Sequence, residues 1–136
     1  MRSLAHRIWL QLGRRGVCLL MFAFLDFAFA VSYFFPVPEI SRSSSVVFIS
    51  HIAPLWAWGA LWLGVGIVLL VNAFMINDRI GYAFAVGIKV LWALQYTVAI
   101  FYGVQRAWLS AALWAAIAGW VAVISTWPEP APVHRE

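Results

Sequence analysis

The chain has 136 residues, of which 65% are hydrophobic and only 10% are charged. One soluble core of this size cannot enclose so much apolar material, which includes 9 Trp and 10 Phe. The composition therefore excludes an ordinary soluble domain and indicates an integral membrane protein. The net charge of +4 is explained by membrane topology and by attraction to anionic lipid, and we expect no nucleic-acid partner.

A basic leader occupies residues 1–15, MRSLAHRIWLQLGRR. It either acts only to set the topology or forms a short interfacial helix over residues 4–15, with its arginines toward the headgroups. Ala28-Phe29-Ala30 has the small-x-small form of a signal-peptidase site, so a cleaved signal peptide is an alternative. Against cleavage, the apolar stretch continues to Pro36 and is long enough to span a membrane.

Four stretches of the sequence meet the requirement of about 20 apolar residues for a membrane-spanning helix. They are, roughly, residues 16–35, 52–76, 80–103 and 107–127. Strands of a membrane barrel alternate apolar and polar residues, whereas the stretch LWLGVGIVLLVNAFM is apolar on every side. The sequence therefore predicts an all-α integral membrane protein, a compact four-transmembrane-helix bundle that forms a single domain over residues 1–136.

The segments between the predicted spans are short and polar. Pro36 and Pro38 end the first span, and SRSSS at residues 41–45 can cap a short amphipathic segment that begins at Val46. The Pro-rich tail at residues 128–136 is expected to be extended and solvated.

The distribution of arginines predicts the orientation, because Lys and Arg in short loops stay in the cytoplasm. Only Arg42 and Arg106 fall on the opposite side from the others. The arginines that we expect to set the topology are Arg2, Arg7, Arg14, Arg15 and Arg79. Both termini are therefore predicted to be inside, in a multi-pass protein of a bacterial inner membrane.

Two opposite charges are predicted at the same depth in the bilayer. Asp26 lies ten residues beyond Gly16, roughly 15 Å into the first span, and Lys89 lies nine residues beyond Ile80, roughly 13–14 Å into the third. The first and third spans run parallel whichever way the protein inserts. A single charge at the bilayer centre costs about 2.5–3.5 kcal/mol on insertion scales. We therefore predict an Asp26–Lys89 contact, within one subunit or between two.

Three roles for this pair stay open at the level of sequence. The pair can fix which helices meet, it can act as a gating or assembly switch, or Asp26 can titrate during proton or substrate coupling. Around Lys89, a helical repeat of seven residues predicts one polar and aromatic face of the third span. That face includes Tyr82, Trp92 and Tyr96.

Small residues predict places where helices approach closely. In the second span they are Gly59, Gly66 and Ala73, and in the fourth they include Ala115 and Gly119. Such residues serve packing within the chain and oligomerisation equally well. Catalytic chemistry is not visible, because no histidine has a second ligand at metal spacing and Cys18 is the single cysteine. We expect no enzyme activity, no metal and no cofactor.

A four-span chain of this size with Asp26 in its first span resembles the small multidrug-resistance transporters, in which a first-helix acid is the proton and cation site. The sequence departs from that family in having Asp in place of Glu and in carrying Lys89. The size, the basic leader, the Pro-rich tail and the Ala, Arg and Trp usage resemble short membrane proteins of actinobacterial phages, including holins.

The holin resemblance implies an oligomer that accumulates in the membrane and opens lesions above a threshold. We take holin-like permeabilisation as the first expected function. The alternatives are a small proton-coupled transporter that uses Asp26 and an accessory or assembly subunit of a larger membrane complex. The expected partners are the lipid bilayer and either further copies of the chain or other membrane subunits.

Overall fold

The structure, a computed structural model, describes residues 4–75 and 77–128, without the side chains of residues 4–12, 40 and 41. Regular structure within these ranges is helical throughout. The helices are α1 (Leu4–Phe34), α2 (Pro38–Ser41), α3 (Ser44–Ile52), α4 (Leu55–Asn72), α5 (Arg79–Phe101) and α6 (Ala107–Ser125). The segments long and apolar enough to cross a membrane are Gly13–Phe34, Leu55–Asn72, Arg79–Phe101 and Ala107–Ser125. The prediction of an all-helical chain with four candidate spans is confirmed.

A break at Gly13 separates the leader part of α1 from its apolar part. Gly13 has φ 57° and ψ 177°, a left-handed φ that glycine adopts without a steric penalty from Cβ. The first candidate span therefore begins at Gly13, three residues earlier than predicted. The predicted orientation of the leader depends on side chains outside the described ones.

The second span is shorter than the predicted range of 52–76. Pro54 disfavours helical backbone at the residue before it, and Ala53 is indeed extended, with φ −154° and ψ 155°. As a result α3 ends at Ile52 and α4 begins at Leu55. The prediction of a span starting at residue 52 is wrong, because one apolar run contains the ends of two helices.

The short helix α3 is capped at its first turn and is bonded to α4 through Ile49. The Ser43 hydroxyl accepts a hydrogen bond from the Val46 backbone N–H at 3.3 Å, which caps the first turn as the polar stretch predicted. The Trp58 indole N–H donates to the Ile49 carbonyl oxygen at 3.2 Å. This bond joins α3 to the beginning of α4.

The bundle consists of two closely packed helix pairs, α1 with α4 and α5 with α6, joined through α4 and α5. The small residues of α4 lie on the side that faces α1. A Cβ atom on Gly59 would lie 3.2 Å from the Phe34 ring, and one on Gly66 would lie 2.8 Å from the Phe27 ring. Ala73, further along, is buried. These residues therefore allow α1 to approach α4 closely.

The small residues of α6 have a different position. Ala115 and Gly119 are exposed, and a Cβ on Gly119 would meet no atom within 4 Å. Both line an open apolar groove of about 610 Å³ between α5 and α6. Packing within the chain instead uses Ala111, Trp114, Ala118 and Val121, which are buried. Ala115 and Gly119 therefore lie on the outer surface of α6 and are not buried against another helix of the described residues.

Large apolar side chains cover the outside of the bundle. Phe24, Leu94, Leu113 and Trp120 are more than half exposed. An apolar surface of this extent marks a surface that contacts membrane or protein in preference to water. Among the polar side chains of these segments, Asp26, Asn72 and Lys89 are buried.

Candidate functional site

Helices α1 and α5 place opposite charges side by side at two levels. Arg15 pairs with Asp78, and Asp26 pairs with Lys89, and in both pairs the partners are 63 residues apart. Tyr33 and Tyr96, which have the same spacing, are also neighbours. A constant spacing is what two parallel helices in fixed register produce, because both rise by the same distance per residue.

The central pair consists of Asp26 and Lys89, the two charges that the depth estimate placed at one level. The Lys89 Nζ donates a hydrogen bond to Asp26 Oδ1 within the chain, and both side chains have an exposed fraction of 0%. Two charges removed from water must compensate each other by their mutual attraction and their hydrogen bonds. The described residues therefore contain a fully buried salt bridge between α1 and α5.

Aromatic rings surround the lysine. Lys89 Nζ lies 5.1 Å from the ring centroid of Trp62 and 5.5 Å from that of Phe22, within the range of cation–π attraction. The ring of Trp62 stacks on Phe29 and meets Trp92 edge-on, each at a centroid distance of 4.8 Å. The ammonium group is thus held between one carboxylate and the faces of aromatic rings.

Several buried polar atoms of the bundle have no hydrogen-bond partner among the described residues. They are Asp26 Oδ2, Trp62 Nε1, Asn72 Oδ1 and Gln95 Oε1. A buried polar group without a partner costs about 1–3 kcal/mol. The interior of the bundle therefore contains polar atoms that could each form a further hydrogen bond.

The predicted polar and aromatic face of the third span is divided by Lys89. Tyr82 lies on the inner side, where its buried hydroxyl donates to the Arg15 carbonyl oxygen at 2.9 Å. Trp92 is buried on the other side of Lys89, and Tyr96 follows it, half-buried. Tyr82 and Tyr96 are roughly 21 Å apart along α5 at the helical rise. Lys89 lies midway between them in the sequence, beside Asp26.

A second salt bridge, between Arg15 and Asp78, was missed by the sequence analysis, which assigned Arg15 to topology alone. Arg15 Nη2 lies 2.7 Å from Asp78 Oδ1, and the guanidinium carbon is 5.0 Å from the Tyr82 ring centroid. The spacing of 63 residues, already present in Asp26 and Lys89, was the signal that could have found it. Arg14 and Arg79 are exposed.

The remaining topology arginines give less information. Arg2 lies outside the described residues, and so does the side chain of Arg7. Within residues 4–75 and 77–128, no group of three or more His, Cys, Asp or Glu side chains is placed to hold a metal ion.

Comparisons with family models, with curated proteins and with solved structures found no match to this chain. The function must therefore be argued from the chemistry of the site and from the surface of the bundle.

Proposed function

We propose that this chain is a small multi-pass protein of a bacterial inner membrane that oligomerises and permeabilises the bilayer in the manner of a holin. The observation that carries the proposal is the buried Asp26–Lys89 pair, in which one carboxylate oxygen has no partner among the described residues. The closed bundle places the charges of Asp26 and Lys89 where water does not reach them. A rearranged assembly with a wet interior gives these groups the solvation that they lack.

The seam between α1 and α5 is where such an opening would expose polar groups. Separation of these helices hydrates Asp26 and Lys89, and the unpartnered Asp26 Oδ2 gains water as a partner. The desolvation cost of a buried ion pair is several kcal/mol per ion and is only balanced by good pairing. Two arrangements of the bundle, one dry and one wet, therefore differ by a modest free energy.

The dry arrangement is held by contacts that must break together. The ion pair, the rings around Lys89 and the close approach of α1 to Gly59 and Gly66 all join α1 to its neighbours. Packed interfaces of this kind change between discrete states and do not deform gradually. This behaviour suits a protein that accumulates without harm and then opens at a threshold density or when the membrane potential collapses.

Oligomerisation is part of the proposal, and the exposed small-residue side of α6 supports it. Ala115 and Gly119 let the backbone of a second copy approach closely. The same surface also fits a different membrane subunit, so an accessory role in a larger complex is the second candidate. The transporter alternative has less support, because Lys89 already occupies the cation position beside Asp26.

Dye release from liposomes tests the proposal. Purified wild type, Asp26→Asn, Lys89→Met and the double variant are reconstituted at increasing protein-to-lipid ratios around an entrapped fluorescent dye. We expect the wild type to release dye above a sharp ratio. Each single variant, which leaves one uncompensated charge, should release it at a lower ratio, and the double variant at a higher one.

Controls separate permeabilisation from the other candidates. Helix content by circular dichroism must be equal in all four proteins, so that release is not caused by misfolding. A folded wild type that releases no dye at any ratio contradicts the proposal. Uptake of a lipophilic cation driven by a pH gradient, lost in Asp26→Asn, would instead support the transporter, and co-purification with other membrane chains would support the accessory role.

A further inference from the structure

A pocket of about 530 Å³ opens at the arginine-rich end of α5 and α6. Its polar wall consists of Arg79, Arg15, Tyr82 and Ser125, which lie near the beginning of α5, the end of α6 and the inner part of α1. The Tyr82 hydroxyl donates to the Arg15 carbonyl oxygen, and the Ser125 hydroxyl donates to the Ala122 carbonyl oxygen. The guanidinium of Arg79 is therefore the main donor that this wall offers to a ligand.

The charges at the pocket leave one positive charge in excess. Arg15 is paired with Asp78 at 2.7 Å. The exposed guanidinium of Arg79 makes no hydrogen bond or ion pair with the part of the chain that the structure describes. Arg15, Asp78 and Arg79 together carry a net charge of +1, which matches a single phosphodiester.

The other wall of the pocket is apolar and lies deeper in the bundle. Val86, Gly87 and Val90 belong to it, seven to eleven residues beyond Arg79 and thus roughly 10–16 Å further along α5. A Cβ atom on Gly87 would meet no atom within 4 Å, so space is open beside the helix there. The pocket is cationic at the level of the headgroups and apolar at the level of the acyl chains.

We propose that this pocket binds one anionic phospholipid, with its phosphodiester against Arg79 and one acyl chain along the wall at Gly87. Arginine presents a planar set of donors that fits phosphate oxygens, and basic pockets between membrane helices are known to hold anionic headgroups. A zwitterionic lipid brings its own cation, which Arg79 repels. The proposal concerns a surface pocket and does not depend on permeabilisation.

Native mass spectrometry measures the proposed binding directly. The protein is equilibrated with mixed micelles of phosphatidylglycerol and phosphatidylcholine, and the bound lipids are counted. Arg79→Gln is compared with Arg14→Gln, which removes the same charge from an exposed position near the same end that does not line the pocket. We expect phosphatidylglycerol to be retained selectively by wild type and by Arg14→Gln. Arg79→Gln should lower its affinity by at least about tenfold, because the phosphate loses a charge-assisted hydrogen bond.

Gly87→Leu tests the acyl wall and separates a lipid from a soluble anion. The new side chain fills open space without removing a charge, so we expect it to lower phosphatidylglycerol retention while circular dichroism and thermal stability stay unchanged. Glycerol phosphate and inorganic phosphate should not displace the lipid at millimolar concentration. Their competition, together with an unaffected Gly87→Leu, would overturn the proposal in favour of a soluble anion.

Two further results would also overturn it. An equal loss in Arg14→Gln and Arg79→Gln would show attraction by surface charge alone. Equal retention of phosphatidylcholine and phosphatidylglycerol by wild type would show that the pocket does not select a headgroup charge.

Discussion

The two salt bridges between α1 and α5 differ in their access to water. Asp26 and Lys89 are fully buried, whereas the side chains of Arg15 and Asp78 are 17% and 11% exposed near the end of the bundle. A buried pair adds little stability over apolar packing, but the removal of one partner leaves a charge without compensation. The central pair should therefore act mainly on which helices meet and at what register.

This difference predicts the outcome of a stability cycle on the central pair. Lys89→Met should destabilise the bundle by about 3–5 kcal/mol, because the Asp26 charge is left buried without a partner. Asp26→Asn together with Lys89→Met should recover most of that loss, since a neutral interior carries no charge to desolvate. Unfolding of each purified variant by SDS in mixed micelles, followed by circular dichroism, measures the free energies.

Arg15→Gln is the matched comparison for this cycle. It breaks a salt bridge of the same helices at the same spacing, but water can reach Asp78, so we expect a smaller loss than for Lys89→Met. If the double variant is as unstable as the less stable single variant, Asp26 and Lys89 do not act mainly by fixing which helices meet and at what register.

At the scale of helices, α1 and α5 present similar faces to each other. Leu19, Asp26 and Tyr33 recur every seven residues on α1, and Tyr82, Lys89 and Tyr96 recur in the same way on α5. All six are at least partly buried. Positions seven residues apart stay on one side of a helix. One fixed offset between α1 and α5 therefore brings Leu19 level with Tyr82, Asp26 with Lys89, and Tyr33 with Tyr96.

Gly81 and Gly87 give a sharp test of helix packing within α5. A Cβ on Gly81 would lie 2.6 Å from the Cβ of Asn72 and 3.1 Å from Leu19 Cδ1, whereas a Cβ on Gly87 meets open space. Asn72 Cβ is attached directly to the α4 backbone, so it cannot move aside without moving the helix. Gly81→Ala should therefore destabilise the bundle by about 1–3 kcal/mol.

Gly87→Ala is its control on the same helix. The substitution should be neutral or stabilise by up to about 0.5–1 kcal/mol, because alanine loses less backbone entropy than glycine on helix formation. SDS unfolding of both variants and wild type, under the same conditions, measures the difference. Equal effects of the two substitutions would mean that α4 and α5 do not meet closely at Gly81.

The parts of the fold that the sequence predicted are those that depend on counting along a helix. Hydropathy gave the four candidate spans, and equal depth gave the pairing of Asp26 with Lys89. Counting does not show which side of a helix meets which neighbour. The sequence therefore could not distinguish Gly81, which contacts α4, from Gly87, which faces outward, nor show that Ala115 and Gly119 are exposed.

The boundary errors have a separate physical cause. The apolar run through residues 52–55 continues the hydropathy of the second span, so an average over a window cannot detect the end of α3. Only the backbone preference before Pro54 marks it. A prediction that weighted this proline above hydropathy would have placed the start of α4 correctly.

At the scale of the whole molecule, the charges divide the bundle into two ends. Arg14, Arg15 and Arg79 lie at one end, and Arg42 and Arg106 lie in the connections at the other. Positive residues in short loops favour the cytoplasmic side. This asymmetry is the basis for the proposed orientation with both termini inside.

Cysteine labelling in intact cells tests that orientation. Cys18 is the single cysteine, so Cys18→Ala provides a background without a thiol. Ser44→Cys and Asn77→Cys are then introduced separately, each at an exposed position. A membrane-impermeant maleimide should label Ser44→Cys in intact cells and Asn77→Cys only after the cells are permeabilised. Gln105→Cys, exposed in the connection between α5 and α6, should behave like Ser44→Cys.

The reverse labelling pattern would contradict the proposed orientation. It would have different consequences for the Asp26–Lys89 pair and for the pocket at Arg79. Asp26 and Lys89 would stay at one depth, because α1 and α5 run parallel in either orientation. The pocket at Arg79 would move to the outer leaflet, and its lipid would come from there. Labelling of Ser44→Cys and Asn77→Cys alike in intact cells would indicate insertion in both orientations, since an arginine bias of this size is then too weak to select one.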